Sequence, residues 1–200
     1  MVRCHLMNKI KSLCVFCGSQ TGKDPVFAEQ TREIGGFLAE QDIQIVYGGG
    51  SVGLMGVLAD ACLEAGGQII GVITEKLLNK EVGHRGVTRL EVVDTMLERK
   101  TRMAELSDSF VSLPGGMGTM DELFEMVTWG LLGLHGQKPK PNGILNVAGY
   151  YDSLIDFIQS DMVGNGFLKA RHASNLVSAD DFADLLEKMR QIDLVSKIEQ

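Results

Sequence analysis

The sequence predicts an α/β fold, a doubly wound, mainly parallel, Rossmann-like sheet with helices on both faces. Three observations carry that prediction. Short apolar runs alternate with longer stretches of helical periodicity along the chain, the pattern of βαβ units. The short runs are almost continuously apolar, as strands covered on both faces must be. Glycines cluster where a run ends and a helical stretch begins, at Gly48-Gly49-Gly50, Gly53 and Gly56 and again at Gly115-Gly116 and Gly118, which marks tight strand-to-helix turns. With right-handed crossovers the ligand edge of such a sheet lies at the carboxyl ends of its strands.

Taken in order, Ser12 to Cys17 reads as the first strand. A helix follows over Pro25 to Gln41, with Asp24 as N-cap and Pro25 in the first helical position. Gln44 to Tyr47 is a strand, Leu54 to Ala65 a helix ended by Gly66-Gly67, and Gln68 to Ile73 a strand. Glu75 to Arg89 is polar and irregular. A short strand at Leu90 to Val93, a helix at Met96 to Leu106, a strand at Ser109 to Leu113 and a helix at Thr119 to Leu134 follow. Gly143 to Val147 is a strand, Tyr151 to Val163 a helix, and Ala179 to Ile192 a last amphipathic helix.

The 200 residues carry 19 Lys and Arg against 26 Asp and Glu, a formal charge of −7, and 44% are hydrophobic. This is globular composition. We expect one domain over residues 1–200, with 1–11 a loose N-terminal extension. An acidic chain repels phosphate backbones, so nucleic acid is excluded as a broad partner, while a local cluster of N–H groups still suits a small anion. No stretch reads as a signal peptide or membrane span, and a soluble cytoplasmic protein is expected. Cysteines stand at 4, 14, 17 and 62. The C-x-x-C spacing of Cys14 and Cys17 has no second pair and lies in an apolar strand. Alternation sends the two thiols to opposite faces, so both read as buried thiols rather than as a metal or redox pair.

Gly48, Gly50 and Gly53 satisfy G-x-G-x-x-G between a strand and a helix. Missing side chains let backbone N–H groups approach a phosphate there, which makes Gly49 and Gly50 candidate ligand residues. Glu75 downstream keeps a dinucleotide reading open. Gly18-Ser19-Gln20-Thr21-Gly22-Lys23 is one residue short of a P-loop, and Asp24 stands where Ser or Thr belongs, so a Walker ATPase is excluded. Gly18 and Ser19, at the end of the first strand, remain ligand candidates. The second turn, Leu113-Pro114-Gly115-Gly116-Met117-Gly118-Thr119-Met120-Asp121-Glu122, pairs another amide nest with a carboxylate. Thr119 and Glu122 have the spacing of a capping box, which alone would fix the carboxylate in one rotamer. The helix beyond it is apolar around nearly its whole circumference, which predicts a homodimer or higher homo-oligomer through that helix and its neighbours.

Met96, Arg99, Met103 and Leu106 form one stripe, so Arg99 sits on a helix face that packs inward. A buried guanidinium needs an anion, either an internal carboxylate or a ligand phosphate, and Lys100 is next to it. Glu98 and Arg102 read as a surface pair. Glu81 and His84 lie in the polar stretch, which starts at the ligand edge and either folds over it or is a solvated loop.

Together PGGMGTMDE, GGGSVGLMG and LERK resemble the LONELY GUY (LOG) family of cytokinin riboside 5′-monophosphate phosphoribohydrolases, long mislabelled as lysine decarboxylases. The likeness runs from about Ser12 to Phe167 and includes EVGHRG, GLLGLHGQKP and GILNVAGYYD. It implies hydrolysis of the N-glycosidic bond of a nucleoside 5′-monophosphate such as AMP, releasing base and ribose 5-phosphate in cytokinin biosynthesis. It implies Arg99 and Glu122 as the catalytic pair, and Lys100, Glu81, Gly116, Gly118, Thr119 and Thr128 as ligand contacts. The glycine turns, Gly115 among them, would hold the 5′-phosphate. No cofactor or metal is implied. Leu97 stands where many members have His, and Met117 replaces a common Tyr or Phe, departures that bear on base preference. The rival readings are a non-catalytic nucleotide-binding protein of the same fold, a pyridoxal-dependent decarboxylase, for which the chain is short and shows no suitable Lys, and an NAD-dependent enzyme.

Overall fold

The computed structural model describes residues 9–81, 83–135 and 140–192, without the side chain of Glu81. Cys4 and most of the expected N-terminal extension lie outside the described residues. Within them the strands are β1 (Ser12–Phe16), β2 (Gln44–Tyr47), β3 (Ile69–Thr74), β4 (Arg89–Val93), β5 (Ser109–Ser112), β6 (Asn142–Leu145) and β7 (Leu176–Ala179). They form one sheet in the order β4-β3-β2-β1-β5-β6-β7, parallel at each pairing. The chain builds outward from β1 to β4, then returns to the other side of β1 for β5. That reversal opens a crevice at the carboxyl ends of β1 and β5, the position where such sheets bind ligands.

The connecting helices are α1 (Val26–Glu40), α2 (Gly53–Glu64), α3 (Glu75–Glu81), α4 (Met96–Glu105), α5 (Met117–Leu132), α6 (Asp152–Asp156), which runs on as a π-helical segment (Phe157–Val163), α7 (Ala170–Ala173) and α8 (Phe182–Gln191). Strand alternation sorts the core into two layers. Leu13, Val15, Ile45 and Val111 pack under α1, α2 and α8 through Leu38, Leu58 and Leu185. Cys14, Phe16, Val46 and Phe110 face the other way, onto Met103 of α4 and Met126 of α5. The sheet is thus doubly wound. Cys14 and Cys17 fall in opposite layers as free, buried thiols. Burial pushes both thiols well above their ordinary range, which leaves them unreactive.

Four local expectations are corrected. The polar stretch after β3 holds a short helix, α3, rather than irregular chain alone. The strand β7 and the short α7 have no counterpart in the sequence pattern, because four residues at a sheet edge, three of them half-buried, carry little periodicity. Helix α5 starts at Met117, with Gly116 in the cap position and no capping side chain. Thr119 therefore lies within the first turn, and the Thr119–Glu122 spacing is not a capping box. The reciprocal box is at Thr95 and Glu98 of α4, so Glu98 serves the backbone, and Arg102 pairs instead with Glu91 and Glu105. At α1, which starts at Val26, Pro25 rather than Asp24 takes the cap position and no side chain caps the helix; Asp24 Oδ1 accepts from the Val26 N–H at 3.0 Å just ahead of it.

Helices α1 and α2 meet at Gly35. A Cβ there would lie 2.8 Å from the Leu58 carbonyl oxygen and 2.9 Å from Ala61 Cβ, whereas one at Gly36 would meet nothing within 4 Å. Gly35→Ala should therefore cost about 1–3 kcal/mol of unfolding free energy in denaturant titration. Gly36→Ala should be neutral or gain up to about 1 kcal/mol from helix propensity. Equal effects would contradict this packing.

Candidate active site

The site is built at the carboxyl ends of β1, β2 and β5. β1 runs into Gly18-Ser19 and β5 into Pro114-Gly115, and the two loops are joined by the Gly18 N–H donating to the Pro114 carbonyl at 3.0 Å. Arg99 enters from α4. The Thr95–Glu98 box fixes the start of that helix, and Arg99, in its first turn, turns inward and is 7% exposed. Its Nε donates to the Val72 carbonyl at 2.9 Å, Nη2 to the Gly48 carbonyl at 3.2 Å and Nη1 to Glu122 Oε1 at 3.0 Å. A Cβ at residue 48 would overlap Nη2. The first glycine of the first turn is thus needed for the guanidinium to lie flat against the backbone.

Glu122 sits in the second turn of α5, buried with Arg99 as its partner. Burial pushes its carboxyl above the ordinary value, and Arg99 opposes that shift without cancelling it. Desolvation disfavours the charge, while a guanidinium in hydrogen-bond contact favours it. Beside this pair lies the amino end of α5, whose first N–H groups have no intrahelical acceptor and no side-chain cap. Gly116 and Gly118 have no atoms within 4 Å of where a Cβ would stand. Contacts within the chain do not require glycine at either position; their bareness keeps the cavity open.

Arg99, Glu122, Gly116, Met117, Gly118 and Thr119 line a cavity of about 250 Å³, with Gly18 and Ser19 forming its lip. A second hollow of about 250 Å³ adjoins it, sharing Gly18, Ser19 and Gly116 and walled by Phe27, Leu54, Pro114 and Tyr150. The spacing of the α4 stripe left open whether Arg99 meets a carboxylate or a ligand. It meets Glu122, at the cavity wall.

Other candidates lie elsewhere. The Gly49 carbonyl accepts the His84 N–H at 2.9 Å, and Gly50 bridges to Gly83; neither lines the cavity. His84 Nε2 meets Asp60 Oδ1 at 3.0 Å, and its Nδ1 accepts the Gly86 N–H, so the ring pins the polar stretch to α2. Lys100 bridges α4 to α5 through Asp121 at 2.9 Å and Glu125 at 2.7 Å. Thr128 is exposed, nine residues beyond Thr119 and so about 14 Å along the helix. Glu81 ends α3, its side chain outside the described residues. Glu75 is exposed at the start of α3. Leu97 lines a separate open groove with Val92 and Arg102. Met55 of the GGGSVGLMG turn, Met96 of the α4 stripe and Leu77 also line the cavity; an apolar side chain at such positions carries no sequence signal for a ligand. Among the described residues, no helix is long and apolar enough to cross a membrane.

Residues 55–189 match the family model described as "Possible lysine decarboxylase". The chain is 45% identical over 179 residues to the probable cytokinin riboside 5′-monophosphate phosphoribohydrolase LOGL1 of Oryza sativa subsp. japonica, covering 90% of this chain and 78% of that protein. It is 41% identical over 184 residues to the cytokinin riboside 5′-monophosphate phosphoribohydrolase LOG7 of Arabidopsis thaliana, covering 92% and 83%. Among solved structures, TM1055 aligns with a TM-score of 0.67 at 21% identity over 91% of this chain and 99% of that one. The Moco carrier protein of Chlamydomonas reinhardtii aligns at 0.66 and 17%, over 92% and 100%. At such identities these two likenesses speak to the fold alone.

The raised Glu122 carboxyl has a signed consequence. Between the ordinary value of 4.5 and its raised value, the folded protein holds a proton that the unfolded chain has released. Stability must therefore fall as pH rises through that window. Glu122→Gln removes this titration, while the offset from an unpaired Arg99 is constant because Arg stays protonated. The stability of Glu122→Gln relative to wild type should rise from about pH 4 upward and then level off. A difference that does not change with pH would contradict the shift.

Proposed function

The chain belongs to the LONELY GUY family, and we propose that it hydrolyses the N-glycosidic bond of nucleoside 5′-monophosphates, releasing free base and ribose 5-phosphate. The single observation that carries this reading is the Arg99–Glu122 pair set into the wall of a cavity whose other wall is the uncapped start of α5. The curated relatives, named for this reaction on cytokinin riboside monophosphates, support it.

The chemistry follows from that arrangement. As the bond from C1′ to the base nitrogen breaks, positive charge gathers on the ribose and negative charge on the base. In the proposed mechanism the Glu122 carboxylate faces the cationic sugar and orients the attacking water. The water oxygen bonds to C1′, and its proton leaves, by way of the carboxylate or solvent, for the departing base. Arg99 favours the ionised form of Glu122 against the cost of burial and fixes its direction, and the guanidinium's positive charge favours a nucleotide anion in the same cavity. The N–H groups of Gly116, Met117, Gly118 and Thr119 hold the 5′-phosphate at the positive end of α5, with Gly18, Ser19 and Gly115 shaping the seat. Of the remaining ligand candidates, Lys100 acts through the α5 acids it holds. Glu81, Gly49 and Gly50 belong to the edge of the site in this reading.

A homodimer is part of the proposal. Phe124, Thr128 and Leu132 recur every four residues along one side of α5, where Phe124 and Leu132 are exposed at 37% and 53%. A second copy is the proposed cover, which would place Thr128 at the contact.

Incubation with a panel of nucleoside monophosphates should release base and ribose 5-phosphate, with the nucleosides poor substrates. Glu122→Gln should bind AMP but lose about 10²–10⁴-fold in kcat. Binding with no turnover by the wild type would favour the non-catalytic reading instead. In sedimentation analysis the protein should have twice the 21.8 kDa of one chain, and Leu132→Glu should halve that mass. A wild-type monomer would remove the dimer from the proposal.

A further inference from the structure

Three consecutive carbonyls leading out of β5 are each tied to a different donor. The Leu113 carbonyl accepts from Tyr151 OH at 2.7 Å, the Pro114 carbonyl from the Gly18 N–H at 3.0 Å and the Gly115 carbonyl from Tyr150 OH at 2.6 Å. In a planar trans peptide the carbonyl and the following N–H point in opposite directions. The bond to Pro114 therefore sets the direction of the Gly115 N–H. The bond from Tyr150 sets that of the Gly116 N–H, which points away from Tyr150 and has no acceptor among the described residues. Thr119 and Gly18 enclose Gly115, but nothing lies beside Gly116, so on that side the Tyr150 bond is what holds the Gly115–Gly116 peptide in one orientation.

The two tyrosines are themselves held. The Tyr151 N–H donates to Asn146 Oδ1 at 2.7 Å, and Asn146 Nδ2 donates to Asp152 Oδ1 at 2.7 Å. Ala148 and Gly149 both have positive φ, 50° and 71°. A non-glycine residue in that region is strained, and this tight corner is what brings adjacent tyrosines under one loop. Tyr151 is 2% exposed, whereas Tyr150 is 46% exposed yet seated edge-on against Phe27 and Tyr151, with ring centroids 5.7 and 4.8 Å apart.

We propose that Tyr150 and Tyr151 are positioning residues, whose hydroxyls lock the Leu113–Gly116 backbone so that the Gly116 N–H faces the anion bound at the start of α5. This rests on the reading of that helix end as the phosphate seat. Neither phenol touches the reacting atoms; both act through backbone carbonyls.

The test is Tyr150→Phe, which keeps the ring and removes one half-exposed hydroxyl, with Tyr151→Phe as the second variant. Kd for ribose 5-phosphate and for AMP is read by calorimetry, alongside KM, kcat and the thermal midpoint. Tyr150→Phe should raise both Kd values and the KM for AMP about tenfold, with kcat changed by less than about twofold and adenosine binding unchanged. A purely structural role would lower the thermal midpoint and leave the ribose 5-phosphate Kd of the folded protein untouched, and that result overturns the proposal. So does a wild-type Kd in both variants while the wild type turns AMP over, an outcome that leaves the proposed function intact. A wild type that binds neither AMP nor ribose 5-phosphate overturns the function and the positioning role together.

Discussion

The buried contact between Arg99 and Glu122 is the constraint on which the rest of the crevice is built. Taking two charges out of water costs several kcal/mol each, and a single ion pair does not by itself offset that. Here the guanidinium also satisfies the carbonyls of Val72 and Gly48. It therefore ties β3, the end of β2, α4 and α5 to one point. The bare Gly48 and the capping box of α4 make that point possible. Such a pair is poor evidence for stability and better understood as a means of holding one carboxylate in one direction beside a cavity.

The two glycine turns, alike in sequence, do different work. In the first, Gly48 makes room for Arg99, while Gly49 and Gly50 are taken up by the Gly83–His84 segment. Gly53 has φ 62° and a Cβ there would overlap the Ser19 backbone, so it brings α2 against the β1 loop. The Leu54 N–H at that helix start is already used by the Gly18 carbonyl at 3.0 Å. The second turn leaves Gly116 and Gly118 free of neighbours and its helix uncapped. The first turn is a packing device, and the second is the surface offered to a ligand.

Much of this was legible in the sequence. The parallel sheet followed from alternating apolar runs, and the opposite burial of Cys14 and Cys17 followed from strand geometry. Arg99 stood out because a charge on an apolar stripe demands an anion. Spacing alone could not name that anion, since Glu122 lies 23 residues away on another helix. The Thr119–Glu122 spacing misled because a helix that starts at a glycine carries no capping side chain to mark its first residue. Tyr150 and Tyr151 sat within a quoted motif without a role, because they act on carbonyls more than 30 residues distant and no local pattern encodes such a contact. Edge strand β7 was too short and too evenly half-buried to announce itself.

The proposed reaction requires one placement, a fixed carboxylate facing the sugar of a nucleotide whose phosphate rests on the start of α5. It is tested most directly by the crystal structure of Glu122→Gln with AMP bound. The phosphate should lie at the N–H groups of Gly116 to Thr119 and C1′ of the ribose about 3–5 Å from the residue 122 side chain, within reach of one water. A nucleotide bound with its ribose on the far side of the Gly18–Ser19 lip, in the hollow beside Phe27, would contradict it.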